Sequence, residues 1–157
     1  MNSSDWDARY ATAGQWSREP NAWVAATLGS LDPGTAVDLG AGEGRNALWL
    51  AGLGWEVTAV DISAVGLQTG RARAAELGVD IEWVTADATT WVSPQLVDLV
   101  VIAYLQLPAA DLARAIGNAA GSLAPGGTLA LINHDRANTV GGPSESPSVA
   151  CTSVDSE

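Results

Sequence analysis

The sequence has 157 residues, 47% of them hydrophobic, which is enough apolar material for one core and one domain. Seven basic against 18 acidic residues leave a net charge of −11, which argues against nucleic-acid phosphate or an anionic lipid surface as the main partner. A single cysteine, Cys151, excludes an internal disulfide, and no apolar run approaches the roughly 20 residues that cross a bilayer. Met1 to Arg9 lacks the basic-then-apolar order of a secretory signal, so a cytoplasmic location is expected.

Trp6-Asp7-Ala8-Arg9-Tyr10 places two aromatics and a guanidinium within five residues. Gly14 to Asn21 reads as a loop, with Asn21 behind Pro20 as the N-cap of a helix that buries Trp23, Val24, Ala26, Thr27 and Leu28. Asp32-Pro33-Gly34 turns the chain into a first strand. Ala36 to Leu39 is that strand, Gly40, Gly42 and Gly44 alternate with other residues, and a helical pattern starts at Arg45 or Asn46 and runs to about Leu53. Strand, glycine turn and helix in this order form the entry to a nucleotide-type site in an open α/β sheet. Trp55 to Asp61 is the second strand, and a carboxylate at its end can accept hydrogen bonds from both hydroxyls of a ribose. The two features together predict a ribose-bearing cofactor over the carboxyl ends of two adjacent parallel strands.

Ser63 caps a helix that reaches Leu77 and stops near Gly78. Val79, Ile81, Trp83 and Val84 form a third strand ending at Ala86-Asp87-Ala88. Val97 to Ala103 is almost wholly apolar, as expected of a central parallel strand covered on both faces. Tyr104-Leu105-Gln106-Leu107-Pro108 follows at its carboxyl end. A helix from Ala109 to about Leu123 leads through Pro125-Gly126-Gly127 into a fifth strand ending near Ile132, from which Asn133, His134 and Asp135 depart. The expected fold is α/β: a doubly wound, Rossmann-like parallel sheet of about five strands with flanking helices.

Dinucleotide folds use G-x-G-x-x-G, whereas this chain has G-x-G-x-G with Arg45 where the third glycine would pack. Val37-Asp38-Leu39-Gly40-Ala41-Gly42-Glu43-Gly44 resembles the first motif of class I S-adenosylmethionine-dependent methyltransferases. The resemblance implies S-adenosyl-L-methionine as cofactor, with Asp38, Gly40, Ala41 and Gly42 at its amino-acid end and Asp61 on its ribose. It also implies Asp87 at the adenine amino group, the backbone N–H of Ala88 at a ring nitrogen, and Ile62 on the adenine face. For Asp87 the rival reading is an ordinary cap before Thr89 and Thr90. Trp6 to Ala11 with Glu19-Pro20-Asn21 resembles the amino-terminal lid of small bacterial methyltransferases related to the tellurite-resistance and thiopurine-type enzymes. That likeness implies Arg9 on the cofactor carboxylate and Trp6 and Tyr10 over the sulfonium; the alternative is a helix that merely docks two aromatics on the core.

On the acceptor side the resemblance implies Tyr104 and Gln106, against a reading of simple loop packing. His134, the sole histidine, stands beside Asp135 and is the candidate base, a structural histidine being the alternative. One histidine, a distant cysteine and scattered carboxylates make no metal set. The expected layout is an N-terminal lid and helix over 1–34, a cofactor-binding core over 35–136, and a disordered tail over 137–157. The family's last two strands, the final one antiparallel, are missing from this reading, so the chain reads as cut short beyond about Pro143. The fifth strand then becomes an exposed apolar edge that must pair with another copy, be covered by the tail, or aggregate. Three functions stay open: methyl transfer to a small-molecule acceptor, a truncated non-catalytic cofactor-binding fragment, and a nicotinamide-dependent oxidoreductase. The glycine spacing disfavours the last.

Overall fold

A computed structural model describes residues 1–12, 17–134 and 147–153. Its elements in chain order are α1 (Ser3–Tyr10), α2 (Ala22–Leu28), β1 (Thr35–Leu39), α3 (Arg45–Gly52), β2 (Glu56–Asp61), α4 (Ala64–Leu77), β3 (Ile81–Thr85), β4 (Val97–Ala103), α5 (Ala109–Gly121), β5 (Leu123–His134) and β6 (Pro147–Ser153). The strands form one sheet in the order β3-β2-β1-β4-β5-β6. The first five are parallel, as expected from the sequence, and β6 runs antiparallel to β5. The connections reverse direction between β1 and β4, and open α/β sheets bind ligands outside the carboxyl ends of the strands at such a point.

Side chains alternate across the strands and feed two cores. Ala36, Leu99 and Val101 meet Val24 and Leu28 of α2 and Leu50 of α3 on one face. Val37, Leu39, Val100 and Ile102 meet Ala115 and Ala119 of α5 on the other. β4 is therefore apolar throughout its middle because both its faces are covered. Asn21 caps α2 by accepting from the N–H groups of Trp23 and Val24 at 3.0 and 3.1 Å, as its place after Pro20 predicts.

The turn Ala124–Gly127 is an insertion within β5. Val97 pairs with Leu123, yet Leu99 already pairs with Thr128, so three extra residues are looped out between the two registers.

The tail departs from expectation. Residues 147–153 form a strand, and β5 is paired on both sides: Thr128 aligns with Ser153, and His134 with Pro147. Of the three ways to resolve an open fifth strand, cover by the tail is the one observed, and among the described residues β6 is the outer strand. Composition misled here for a physical reason. A ladder is made by backbone groups, and a polar Ser/Val/Thr segment can supply it without apolar periodicity when a neighbour offers an unpaired row of N–H and C=O.

One packing contact yields a direct test. A methyl on Gly70 of α4 would lie 2.6 Å from the Glu43 carbonyl oxygen and 2.6 Å from the Trp83 ring. Gly70→Ala gains up to about 1 kcal/mol of helix propensity but overpacks at a cost of roughly 1–3 kcal/mol. We expect a net loss of about 1–2 kcal/mol, read as a fall in Tm of roughly 3–8 °C. An unchanged Tm would show that α4 does not press on the loop.

Candidate cofactor and active site

Asp38 ends up at the bottom of the site because β1 buries it and the helix that follows lacks a capping side chain. Gly44 occupies the N-cap of α3 with φ 76° and provides none. Asp38 Oδ2 accepts from the Ala47 N–H at 3.1 Å instead, so the strand's carboxylate caps the next helix. The glycine loop is tied to β2 in the same manner. The N–H groups of Gly40 and Ala41 both donate to the Val60 carbonyl, at 2.8 and 3.0 Å. Asp61 then accepts from Gly42 N–H through Oδ2 and from Ser63 N–H through Oδ1, each at 2.8 Å.

Two cavities open over these groups. One, of about 380 Å³, lies over Asp61, Ile62, Asp87 and Ala88. The other, of about 200 Å³, lies over Asp38, Gly42 and Arg45. Trp6, Tyr10, Gly40, Tyr104 and Gln106 line both, so the two are halves of one cleft pinched by aromatic side chains. Tyr104 holds φ 56° at the end of β4, a left-handed conformation that a non-glycine residue adopts only under local constraint. Gly42, with φ 57°, has the Tyr10 hydroxyl where a β-carbon would go. The absence of a side chain at Gly42 thus lets Tyr10 of α1 close directly over the loop.

The domain model described as "Methyltransferase domain" matches residues 36–127, from the start of β1 to the turn inside β5. This chain belongs to the class I S-adenosylmethionine-dependent methyltransferases. Trans-aconitate 2-methyltransferase of Methylobacterium radiotolerans is 35% identical over 133 residues, which cover 82% of this chain and 49% of the relative. The chain spans about half the length of that curated relative. Among solved structures, phosphoethanolamine N-methyltransferase 1 of Haemonchus contortus, with phosphoethanolamine and S-adenosylhomocysteine, matches at 23% identity and a TM-score of 0.72. The match covers 90% of this chain and 33% of that one. The N-methyltransferase NodS of Bradyrhizobium japonicum, in complex with S-adenosylhomocysteine, matches at 20% identity and a TM-score of 0.69, over 83% of this chain and 71% of that one. At these identities the likeness to the solved structures is one of fold.

In this methyltransferase domain the cleft's acids are electrostatically unequal. Burial pushes the Asp38 carboxyl up from 3.8 to about 7; the nearby Asp61 charge adds to the rise, while the Ala47 N–H and Arg45 oppose it. Asp61 is also raised, mainly by burial, against the pull of the Ser63, Gly42 and Ile62 N–H groups. The Tyr10 hydroxyl is raised by burial and then by Asp61, Glu43 and Asp38, so it stays protonated beside them. Asp87 is lowered because Oδ1 accepts from both the N–H and the hydroxyl of Thr89, at 2.8 and 2.7 Å. Asp87 therefore caps the following turn and lines the larger cavity at once.

Of the residues singled out in the sequence, the cleft gathers Asp38, Gly40, Ala41, Gly42, Asp61, Ile62, Asp87, Ala88, Tyr104 and Gln106. Arg9 is not among them. It is exposed on α1, and its guanidinium sits 5.2 Å from the centroid of the Trp6 ring, one helical turn back. The cation that does line the smaller cavity is Arg45, at the first position of α3. His134 pairs through its backbone with Pro147 at the end of β5; its side chain and Asp135 lie outside the described residues. No helix among the described residues is long and apolar enough to cross a membrane. No cluster of three or more His, Cys, Asp or Glu among them could hold a metal ion.

Asp7 was not singled out. Its Oδ1 accepts from the Ser63 hydroxyl at 2.5 Å and from the Val65 N–H at 3.2 Å. Ser63 Oγ in turn accepts from Gly66 N–H at 3.1 Å. Asp7 thereby fastens α1, which has no fully buried residue of its own, to the start of α4. For Asp7→Ala we expect faster amide exchange over residues 3–10, by about tenfold for the roughly 1.4 kcal/mol of lost hydrogen bonding. Global Tm should change little, because Ser63 still caps α4. Uniform acceleration across the whole chain would refute the fastening role.

Proposed function

We propose that this chain transfers a methyl group from S-adenosyl-L-methionine to a small-molecule acceptor. One observation carries the reading: the glycine loop and Asp61 line a single two-chambered cleft across the carboxyl ends of β1, β2 and β4. The larger chamber suits an adenosine. There Asp61 would accept the ribose hydroxyls, Ile62 would cover the base, and Asp87 with the Ala88 N–H would read its edge. The smaller chamber suits an amino-acid end, with Arg45 meeting its carboxylate and Asp38 its ammonium. When bound, the cofactor supplies an electrophilic methyl on a sulfonium. The protein's part is to hold donor and acceptor in line and to keep water out, and such positioning is worth roughly 7–11 kcal/mol. Trp6, Tyr10 and Tyr104, at the pinch between the chambers, would surround the sulfonium with aromatic faces. For an acceptor that must lose a proton, His134 at the end of β5 is the base we assign, contributing about 10²–10⁴-fold.

Calorimetry on the full chain tests the cofactor half: S-adenosylhomocysteine should bind at one site and NADH should not. Release of S-adenosylhomocysteine in turnover tests the transfer. Trans-aconitate is the first acceptor to try, because the 35%-identical relative is named for it. Heat with NADH and none with S-adenosylhomocysteine would replace this reading with a nicotinamide enzyme.

A further inference from the structure

Three of the seven arginines of this strongly acidic chain gather around one further cavity. Arg18, Arg45 and Arg73 line a cavity of about 300 Å³ between the segment before α2, the start of α3 and the end of α4. Its depth is apolar and cationic. Leu48 is buried, Pro20, Trp49, Arg45 and Arg73 are half-buried, and the acidic members, Glu19 and Glu76, are exposed at the rim with Arg18. Rim carboxylates are screened by water, whereas the charges in the floor are screened much less.

The two floor guanidiniums have unspent donors. Arg73 Nη1 lies 2.9 Å from Glu43 Oε2 as an ion pair, yet this buried nitrogen makes no hydrogen bond of proper geometry. Arg45 makes no ion pair or side-chain hydrogen bond with any described residue. A guanidinium is planar, weakly hydrated and suited to stacking and to bidentate capture of a carboxylate. A cavity lined by Trp49, Leu48 and these guanidiniums suits a small anion on a flat apolar body.

Arg45 also lines the smaller chamber of the cofactor cleft, and Glu43, the partner of Arg73, lines it too. We propose that the α2–α3–α4 cavity is a second ligand site, for a planar monocarboxylate, and that it shares Arg45 with the cofactor cleft. An anion held there draws the Arg45 guanidinium away from the amino-acid end of the cofactor. The two ligands then weaken one another by the same factor, as linkage requires. The coupling rests on the cofactor reading given above; the site itself does not.

Benzoate is the probe, titrated by calorimetry into the full chain with and without saturating S-adenosylhomocysteine. We expect one saturable site in the absence of the nucleoside. Arg18→Glu, an exposed rim substitution outside the cofactor cleft, should weaken benzoate by about fivefold or more, and Arg18→Gln by less. Saturating S-adenosylhomocysteine should weaken benzoate, and benzoate should weaken S-adenosylhomocysteine to the same extent. Absence of saturable heat would overturn the proposal. So would a benzoate affinity indifferent to Arg18→Glu, which would put the probe in the cofactor cleft. Mutual independence of the two ligands would overturn the shared role of Arg45. If S-adenosylhomocysteine alone gives no heat while benzoate binds and responds to Arg18→Glu, the cofactor reading fails and the second site stands.

Discussion

Asp61→Ala is expected to weaken S-adenosylhomocysteine binding by roughly 10²–10⁴-fold, because two charge-assisted hydrogen bonds from ribose hydroxyls are lost at about 1.5–3 kcal/mol each. The difficulty is that Asp61 has two roles. Its oxygens already accept the N–H groups of Gly42 and Ser63, so the substitution also loosens the loop that shapes the cleft. Asp61→Asn will not rescue binding, since its NH₂ group would confront one of those N–H donors. A double-mutant cycle separates the roles: the second change is a cofactor analogue lacking both ribose hydroxyls. If Asp61 holds the ribose, deleting the hydroxyls costs wild type heavily and the variant almost nothing. If Asp61 only supports the loop, the two losses add. Additivity would remove the ribose assignment even though Asp61→Ala still bound poorly.

Much of the fold was legible because local signals agreed with the global pattern. Glycine and proline marked the turns, and the continuous apolar run Val97–Ala103 marked the strand covered on both faces. The positions of Asp38 and Asp61 could be read for the same reason: each interrupts or ends an apolar strand, where a carboxylate needs a purpose; Asp87, exposed beyond the end of β3, was read from the family resemblance. What could not be read were relations between distant segments. The docking of Asp7 on Ser63 spans 56 residues and leaves no periodic trace. The lid resemblance implied Arg9 on the cofactor carboxylate, but the fold leaves Arg9 exposed on α1 against Trp6, and Arg45 at the start of α3 lines the smaller cavity. The capping box of Asn2 and Asp5 that starts α1 is seen only in the structure. Strand β6 was hidden because pairing with β5 uses the backbone, whereas the composition of the tail reports only on side chains.

Asp38 is expected to make the free protein less stable as pH rises and the cofactor complex tighter. Its carboxyl titrates near 3.8 when unfolded and at about 7 when folded, because burial disfavours the charge. Between these values the folded chain keeps a proton that the unfolded chain has released, so stability falls with rising pH across the window and levels off above about 7. At about 1.4 kcal/mol per pH unit the whole interval is worth roughly 4 kcal/mol. Asp38→Asn removes the titration while its amide oxygen can still accept the Ala47 N–H. The variant should therefore match wild type near pH 3, exceed it by roughly 1.5 kcal/mol at pH 5 and by roughly 4 kcal/mol at pH 8, measured by urea unfolding without ligand. Binding should move the opposite way. A cationic amino group beside Asp38 favours the ionised carboxyl, so the affinity of wild type for S-adenosylhomocysteine should rise by up to about tenfold per pH unit below 7 and then flatten. In Asp38→Asn the same profile should be flat and uniformly weaker. A wild-type affinity independent of pH from 5 to 8 would mean that the ammonium is held elsewhere, and that the buried carboxyl serves only to cap α3.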